Sequence, residues 1–198
     1  MFYSVALSIV RRIFFIVYRI RIKGTENIPE GAAVVCGNHT AQHDPIFVIC
    51  AFGVKQRLIP LSKVENKGKP GLGWALRKLG VIFVDRGAGD LGAIKRSMQV
   101  LKNGGKLLIF PEGTRVKEGR TVDVKNGAAM LACRNGARVV PVFITKGSKR
   151  LFSRVDVVIG EPYYIRSEGR PTGEFLDAQT KALMEKIFAL GDTVRDNA

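Results

Sequence analysis

From residue 20 onward, short apolar runs alternate with segments of helical spacing, and this alternation limits the possible folds more than any other feature. The runs AAVVC (32–36), RLIPLS (57–62), VIFV (81–84), KLLIF (106–110), RVVPVFI (138–144) and VDVVI (155–159) are rich in Val and Ile. They are mostly continuous rather than alternating, as expected for strands covered on both faces. Between them, Asp44 is predicted to cap a helix beginning at Pro45, the favoured first helical position. Asp90 is predicted to cap a second, with Leu91, Ile94, Met98 and Leu101 at helical spacing and Gly104 closing it. NGAAMLACRNG (126–136) reads as a third helix. A fourth is expected from about Glu174 to Leu190, with Leu176, Leu183, Ile187 and Leu190 inward and an outer Asp177–Lys181 pair. Strands and helices in this order predict an α/β domain: a largely parallel sheet flanked by helices on both faces. VENKGKPGLG (64–73) reads as the most loop-like stretch, and the tail after Gly191 is expected to fray.

The N-terminus follows a different rule. FYSVALSIVRRIFFIVYRI is apolar except for a few residues. Wound at about 100° per residue, Ser4, Ser8, Arg11, Arg12 and Arg19 share one arc interrupted by Phe15. Two adjacent arginines at mid-span make a bilayer crossing costly. No basic region precedes the apolar run and no small-residue cleavage site follows, so a signal peptide fits poorly. The expectation is an amphipathic helix lying in the membrane interface, its arginines at lipid head groups, over residues 1–20. The α/β domain then occupies 21–198. The alternative is a helix packed on the domain itself.

Composition restricts the partner without choosing it. With 32 Lys and Arg against 17 Asp and Glu, the formal charge is +15, which draws the protein to an anionic surface or ligand. The basic residues recur in short groups, including RIRIK (19–23), KVENKGK (63–69) and KGSKR (146–150). There is no aromatic-and-basic strand pattern of the kind RNA-binding sheets carry, so nucleic acid is not expected. Three scattered cysteines, Cys36, Cys50 and Cys133, form no CxxC pair and read as reduced, largely buried thiols.

In α/β domains, sites gather in the loops at the carboxyl ends of strands. One such loop is NHTAQHDP (38–45), which holds both histidines of the chain. His43 and Asp44 are neighbours, but a dinuclear metal hydrolase needs several more histidines than this chain has. His39 and Asp44 are five apart across a turn that must end at Pro45. An aspartate there can take one imidazole nitrogen of His39, fix its tautomer and stabilise its protonated form. That arrangement removes a proton from an alcohol. It also requires a neutral ring, so activity is expected to fall in acid. Cys36 ends an apolar strand, where an inert thiol is expected, and GxSxG is absent. Direct transfer without a covalent enzyme intermediate follows. After KLLIF comes PEGTR (111–115). Glu112 can accept from a substrate hydroxyl, Gly113 lets backbone N–H groups approach an anion, Thr114 adds a hydroxyl and Arg115 offers a fork for phosphate. Arg86 ends a third strand in VIFVDR (81–86).

These blocks carry a resemblance. The chain resembles the glycerolipid acyltransferase family, in particular its bacterial 1-acyl-sn-glycerol-3-phosphate acyltransferases (the PlsC type). NHTAQHD is similar to the family's NHx₄D block, through His39 and Asp44. GVIFVDR (80–86) is similar to the second block through Gly80, Phe83 and Arg86, FPEGTR (110–115) to the third, and VVPVF (139–143) to the fourth through Pro141. A serine is common two residues after the family's histidine, and here Ala41 stands in its place.

The resemblance implies acyl transfer from acyl carrier protein or coenzyme A to the sn-2 hydroxyl of lysophosphatidate, giving phosphatidate. His39 would be general base, Asp44 its orienter, and Arg86, Glu112, Gly113, Thr114 and Arg115 would hold the glycerol phosphate. No cofactor or metal is implied beyond the thioester co-substrate. The implied partners are anionic lipid and the donor, and the implied location is the cytoplasmic face of the cell membrane. Glycerol 3-phosphate or another lysophospholipid is the alternative acceptor. A non-catalytic basic membrane-binding module is the alternative from a different class.

Overall fold

A computed structural model describes residues 2–85, 89–115, 123–145 and 151–195. Helices α1 (Phe2–Val17), α2 (Asp44–Phe52), α3 (Leu72–Lys78), α4 (Leu91–Lys102), α5 (Gly127–Asn135) and α6 (Gly173–Arg195) surround one sheet. Its strands are β1 (Arg19–Lys23), β2 (Ala33–Gly37), β3 (Leu58–Lys63), β4 (Ile82–Val84), β5 (Lys106–Ile109), β6 (Arg138–Ile144), β7 (Arg154–Ile159) and β8 (Tyr163–Tyr164). They lie in the order β1-β7-β6-β2-β5-β3-β4, with β8 also on β6. All pairings are parallel except those of β7 and β8 with β6. The expected largely parallel α/β sheet, helix-covered on both faces, is what forms.

Neighbouring residues on a strand face opposite ways, and this splits the core into two layers. Val34, Cys36, Leu107 and Val139 pack under α4, α5 and α6, where Leu101, Leu131, Leu183 and Ile187 are buried. Val35, Leu108 and Val140 pack on the other face, against Phe47 and Val48 of α2 and Tyr18 just beyond α1. The Phe47 ring meets those of Phe14 and Tyr18 edge-on at centroid separations of 5.4 and 5.1 Å, and Phe14 and Tyr18 lie tilted to each other at 5.5 Å, an arrangement that adds to their apolar burial. Pro141 sits inside β6, a position that normally resists proline. Its carbonyl accepts from Gly160 N–H at 2.8 Å, so its missing N–H points to the same edge. There the partner changes from β7, at Val142–Ile144, to β8, at Arg138–Val139. The lost donor falls where the ladder is already broken.

Three expectations change. α1 ends at Val17 and RIRIK is edge strand β1, parallel to β7, with alternating exposed and half-buried positions. That period of two was present in the sequence, but the basic residues drew the reading toward a charge cluster. The segment after β3 is a 3₁₀ turn over Val64–Gly68 followed by α3. α6 continues through Arg195, past the point where fraying was expected, because Val194 is buried.

The polar arc expected on α1 is also redistributed. Arg11 turns inward, donating through Nε to the carbonyl of Cys50 at 3.1 Å, with its guanidinium over the Phe15 ring. The surface left outside is an apolar stripe of Val5, Ile9, Ile13 and Ile16, each more than half exposed. One face of α1 packs on the domain and another does not. No helix among the described residues is long and apolar enough to cross a membrane.

Candidate active site

The site begins with how β2 ends. Gly37 has no side chain, and a Cβ there would stand 3.3 Å from the Phe110 ring and 3.4 Å from Val142 O. Its bareness lets that ring close over the strand end. Asn38, fully buried, then ties β2 to the end of β6. Its Nδ2 donates to Ile144 O at 2.9 Å, and its Oδ1 accepts from Ile144 N–H at 2.7 Å. One side chain satisfies both backbone groups of Ile144, which leaves His39 starting from a fixed point.

Beyond Asn38 the chain turns back on itself around Asp44. The Oδ2 atom of this buried carboxylate accepts from Thr40 N–H at 2.7 Å and Ala41 N–H at 2.6 Å, and lies 3.2 Å from His39 Nδ1. An ionised carboxylate is an acceptor only, so Nδ1 carries the proton and Nε2 is left as the basic atom. The local geometry differs from the expected cap. Asp44 is the first residue of α2, one position before Pro45, and His43 occupies the cap position with no side-chain bond. The carboxylate points to the preceding turn rather than to the amides of its own helix. His43 is exposed and its ring meets Phe14 edge-on at 6.1 Å, so of the two histidines it is His39 that pairs with Asp44.

The second loop supports the first. Phe110, just past β5, stacks on the His39 ring with centroids 4.4 Å apart and planes inclined by 28°. Buried Glu112 accepts from His39 N–H at 2.7 Å through Oε2. Its carboxylate thus braces the backbone of the histidine itself, a contact that the sequence did not suggest. Gly113 adopts φ +63° while its N–H returns to Phe110 O at 2.9 Å, a turn that favours glycine. Lys125 N–H donates to Pro111 O at 2.7 Å, closing the base of the loop. Thr114 and Arg115 emerge exposed at its tip. Arg86 lies outside the described residues, as does KGSKR (146–150).

Around this centre, candidate nucleophiles are suppressed. Cys36 is fully buried, and desolvation pushes its thiol well above the ordinary range. Burial pushes the Cys50 thiol up to about 11, against a smaller lowering by the Arg11 guanidinium. Neither supplies a thiolate near neutral pH. What remains is an oriented imidazole, held by a carboxylate on Nδ1, a ring on one face and a carboxylate on its backbone. It can take a proton from an alcohol and return it to a leaving group.

The bracing contacts of Phe110, Glu112 and Asn38 are what sequence reasoning missed. Glu112 was expected to face substrate, Phe110 appeared only as part of a block, and Asn38 had no role. Their one shared signal was a place at the carboxyl end of a strand, directly beside a candidate residue.

Comparisons with known proteins place the chain among others. The family model "Acyltransferase" matches residues 19–145, the span from β1 to the end of β6. The chloroplast 1-acyl-sn-glycerol-3-phosphate acyltransferase of Arabidopsis thaliana is 36% identical over 129 residues, 63% of this chain and 35% of that protein. The 1-acyl-sn-glycerol-3-phosphate acyltransferase of Pseudomonas aeruginosa is 29% identical over 181 residues, 86% of this chain and 69% of the relative. The chain spans only 35% and 46% of the two plant relatives it matches. The crystal structure of the 1-acyl-sn-glycerophosphate acyltransferase PlsC from Thermotoga maritima superposes with a TM-score of 0.69 at 26% identity, covering 94% of this chain and 79% of that one. A match over most of the chain, with the His39–Asp44 loop and the 111–115 turn inside it, places this protein in the acyltransferase family.

Proposed function

We propose that this protein transfers a fatty acyl group from a thioester, acyl carrier protein or coenzyme A, to the sn-2 hydroxyl of lysophosphatidate, giving phosphatidate. The observation that carries the reading is the Asp44–His39 pair at the carboxyl end of the sheet, its Nδ1 occupied and its Nε2 left to act. Nε2 of His39 accepts the hydroxyl proton as the alcohol oxygen attacks the thioester carbonyl. The tetrahedral intermediate collapses, the C–S bond breaks, and the imidazolium returns the proton to the departing sulfur. Asp44 holds the tautomer and stabilises the imidazolium. General base catalysis supplies about 10²–10⁴-fold, and positioning of the acceptor supplies a further part. Arg86, Thr114 and Arg115 hold the glycerol phosphate, with the Gly113 turn giving the anion close access to backbone. Glu112 shapes this pocket by bracing His39. The chain works at the cytoplasmic face of the membrane as a peripheral or monotopic protein, with α1 seated in the interface by its apolar stripe.

The test is one incubation of the purified chain in lipid vesicles with lysophosphatidate, glycerol 3-phosphate and both thioester donors. Phosphatidate as the dominant product, lost in His39→Ala, is the expected result. New lysophosphatidate carrying the donor's acyl chain, of different length from that of the lysophosphatidate supplied, would move the acceptor to glycerol 3-phosphate. Vesicle binding with no acyl product from any combination would replace the enzyme by a non-catalytic membrane module.

A further inference from the structure

Two pairs of large apolar side chains stand in solvent at the same end of the sheet as His39, and neither belongs to the site or to α1. Leu151 and Phe152 are 68% and 67% exposed. They lead into β7, whose first residues run past the end of β6 where Ile144 pairs with Val157. Phe152 has φ +64° and is the non-glycine residue at positive φ among those described. For an aromatic side chain that conformation is strained and persists only when its surroundings enforce it. They do so here: Phe152 N–H donates to Val17 O at 2.7 Å, and Arg19 N–H donates to Ser153 O at 3.0 Å. The turn is thereby fastened to the carboxyl end of α1, where Phe15 and Ile16 are also exposed.

The second pair lies across the sheet. Leu72 and Trp74, in the first turn of α3, are 40% and 53% exposed. They follow Lys63, which ends β3 at the level of the Phe110–Pro111 loop, as the pairing of Pro60 with Leu108 requires. Lys63, Lys67 and Lys69, all exposed, precede them in the chain, with one exposed acid, Glu65, among them. Tryptophan beside lysines suits the boundary between acyl chains and anionic head groups. A small acidic protein would also meet the lysines, but it would give no apolar surround to Leu151 and Phe152. The two apolar pairs flank β7 and β3, four strand spacings apart in the sheet order, or roughly 19 Å. His39, two residues past the end of β2, follows a strand that lies between them. A broad flat partner touches both.

We infer that Leu151–Phe152 and Leu72–Trp74 are two lipid-inserting contacts that seat the carboxyl end of the sheet on an anionic bilayer and so present the His39 loop to it. This rests on the membrane reading given above and adds the orientation to it. Trp74 is the single tryptophan of the chain and therefore reports its own environment. Full-length protein is mixed with vesicles of phosphatidylglycerol and phosphatidylcholine in equal parts, with and without bromine on the acyl chains. The expected result is a blue shift and bromine quenching of Trp74, weakened by salt. Replacing Leu151 with Ser and Phe152 with Gly, which relieves the strained φ, should weaken vesicle partitioning about tenfold. Transfer between a short-chain thioester and dissolved lysophosphatidate should be unchanged in that variant. Vesicle binding with Trp74 emission and quenching unaltered overturns the inference, as does a Leu151→Ser/Phe152→Gly chain that partitions like the parent. So does a surface that captures acyl carrier protein but not vesicles. Binding is read without catalysis. A chain that shows the shift and makes no acyl product therefore refutes the enzyme and keeps the seat, and one that makes product with Trp74 unmoved does the reverse.

Discussion

The two ends of the parallel strands differ in a way that composition conceals, since both are basic. At the amino end, a cleft of about 900 Å³ is lined by Arg134, Arg166 and Arg170 with Ser167, Ile165 and Tyr164. There Arg138 Nε donates to Tyr164 Oη at 3.1 Å, and the guanidiniums of Arg138 and Arg166 lie over the Tyr164 ring. The cleft has charge and room, but its lining contains no histidine and no carboxylate. At the carboxyl end, His39 is held by Asp44, Glu112 and Phe110, with Asn38 fixing the strand beneath. Open volume and positive charge are therefore poor guides to chemistry in this molecule. A base with a defined tautomer requires buried, fully committed hydrogen bonds, and only one end supplies them.

The sharpest way to break this contrast is His39→Ala. It should lower acyl transfer about 10²–10⁴-fold, with thermal unfolding little changed, because the side chain makes one hydrogen bond and one stacking contact. A rate that survives would remove the carboxyl end's claim. Asp44→Asn tests the orienter: an amide oxygen placed where Oδ2 stands can still accept from Thr40, Ala41 and Nδ1, but it brings no charge to stabilise the imidazolium. A fall of about 10²–10³-fold in kcat, with KM for the acceptor nearly constant, is expected in steady-state assays.

Asn38→Ala and Glu112→Ala test the scaffold rather than the proton transfer. Each strands a buried backbone group, the N–H and carbonyl of Ile144 in one case and His39 N–H in the other. Each should cost about 1–3 kcal/mol in denaturant unfolding and reduce activity in proportion to the lost order of the loop. Full activity in either variant would show that His39 does not need the brace. The smallest effect belongs to the other end. Arg166→Ala with Arg170→Ala should leave acyl transfer within about twofold, as substitutions on an exposed surface usually do. A large loss would show that the two ends cooperate and that the contrast is false.

Much of the fold was legible because its strands are buried on both faces. AAVVC, KLLIF and RVVPVFI had no other use for so many adjacent apolar side chains, and they became β2, β5 and β6 with shifts of a residue or so. Asp90 was equally readable: its Oδ1 accepts from Ala93 N–H at 2.8 Å at the start of α4, and this bond, with a second from Asp85 N–H, holds the exposed carboxyl below its usual range. The edges were harder. β1 has one solvent-facing row, so Arg19, Arg21 and Lys23 outweighed Ile20 and Ile22 in the reading. α3 is only seven residues long and follows Gly71, and its stability comes from packing on the preceding turn, which no periodicity records.

The candidate site divides along the same line. Local chemistry and spacing in the sequence determined that His39 and Asp44 could meet, because a five-residue turn ending at a proline admits few other arrangements. They also determined that the 38–45 and 111–115 loops would follow strands and open at the same end of a parallel sheet. Only the tertiary structure decided that Glu112 holds the backbone of His39, that Phe110 stacks on its ring, and that Asn38 locks β2 to β6. These contacts join residues 73, 71 and 106 positions apart. Chain-local propensity carries no information over such separations; the register of β2 between β5 and β6 sets them.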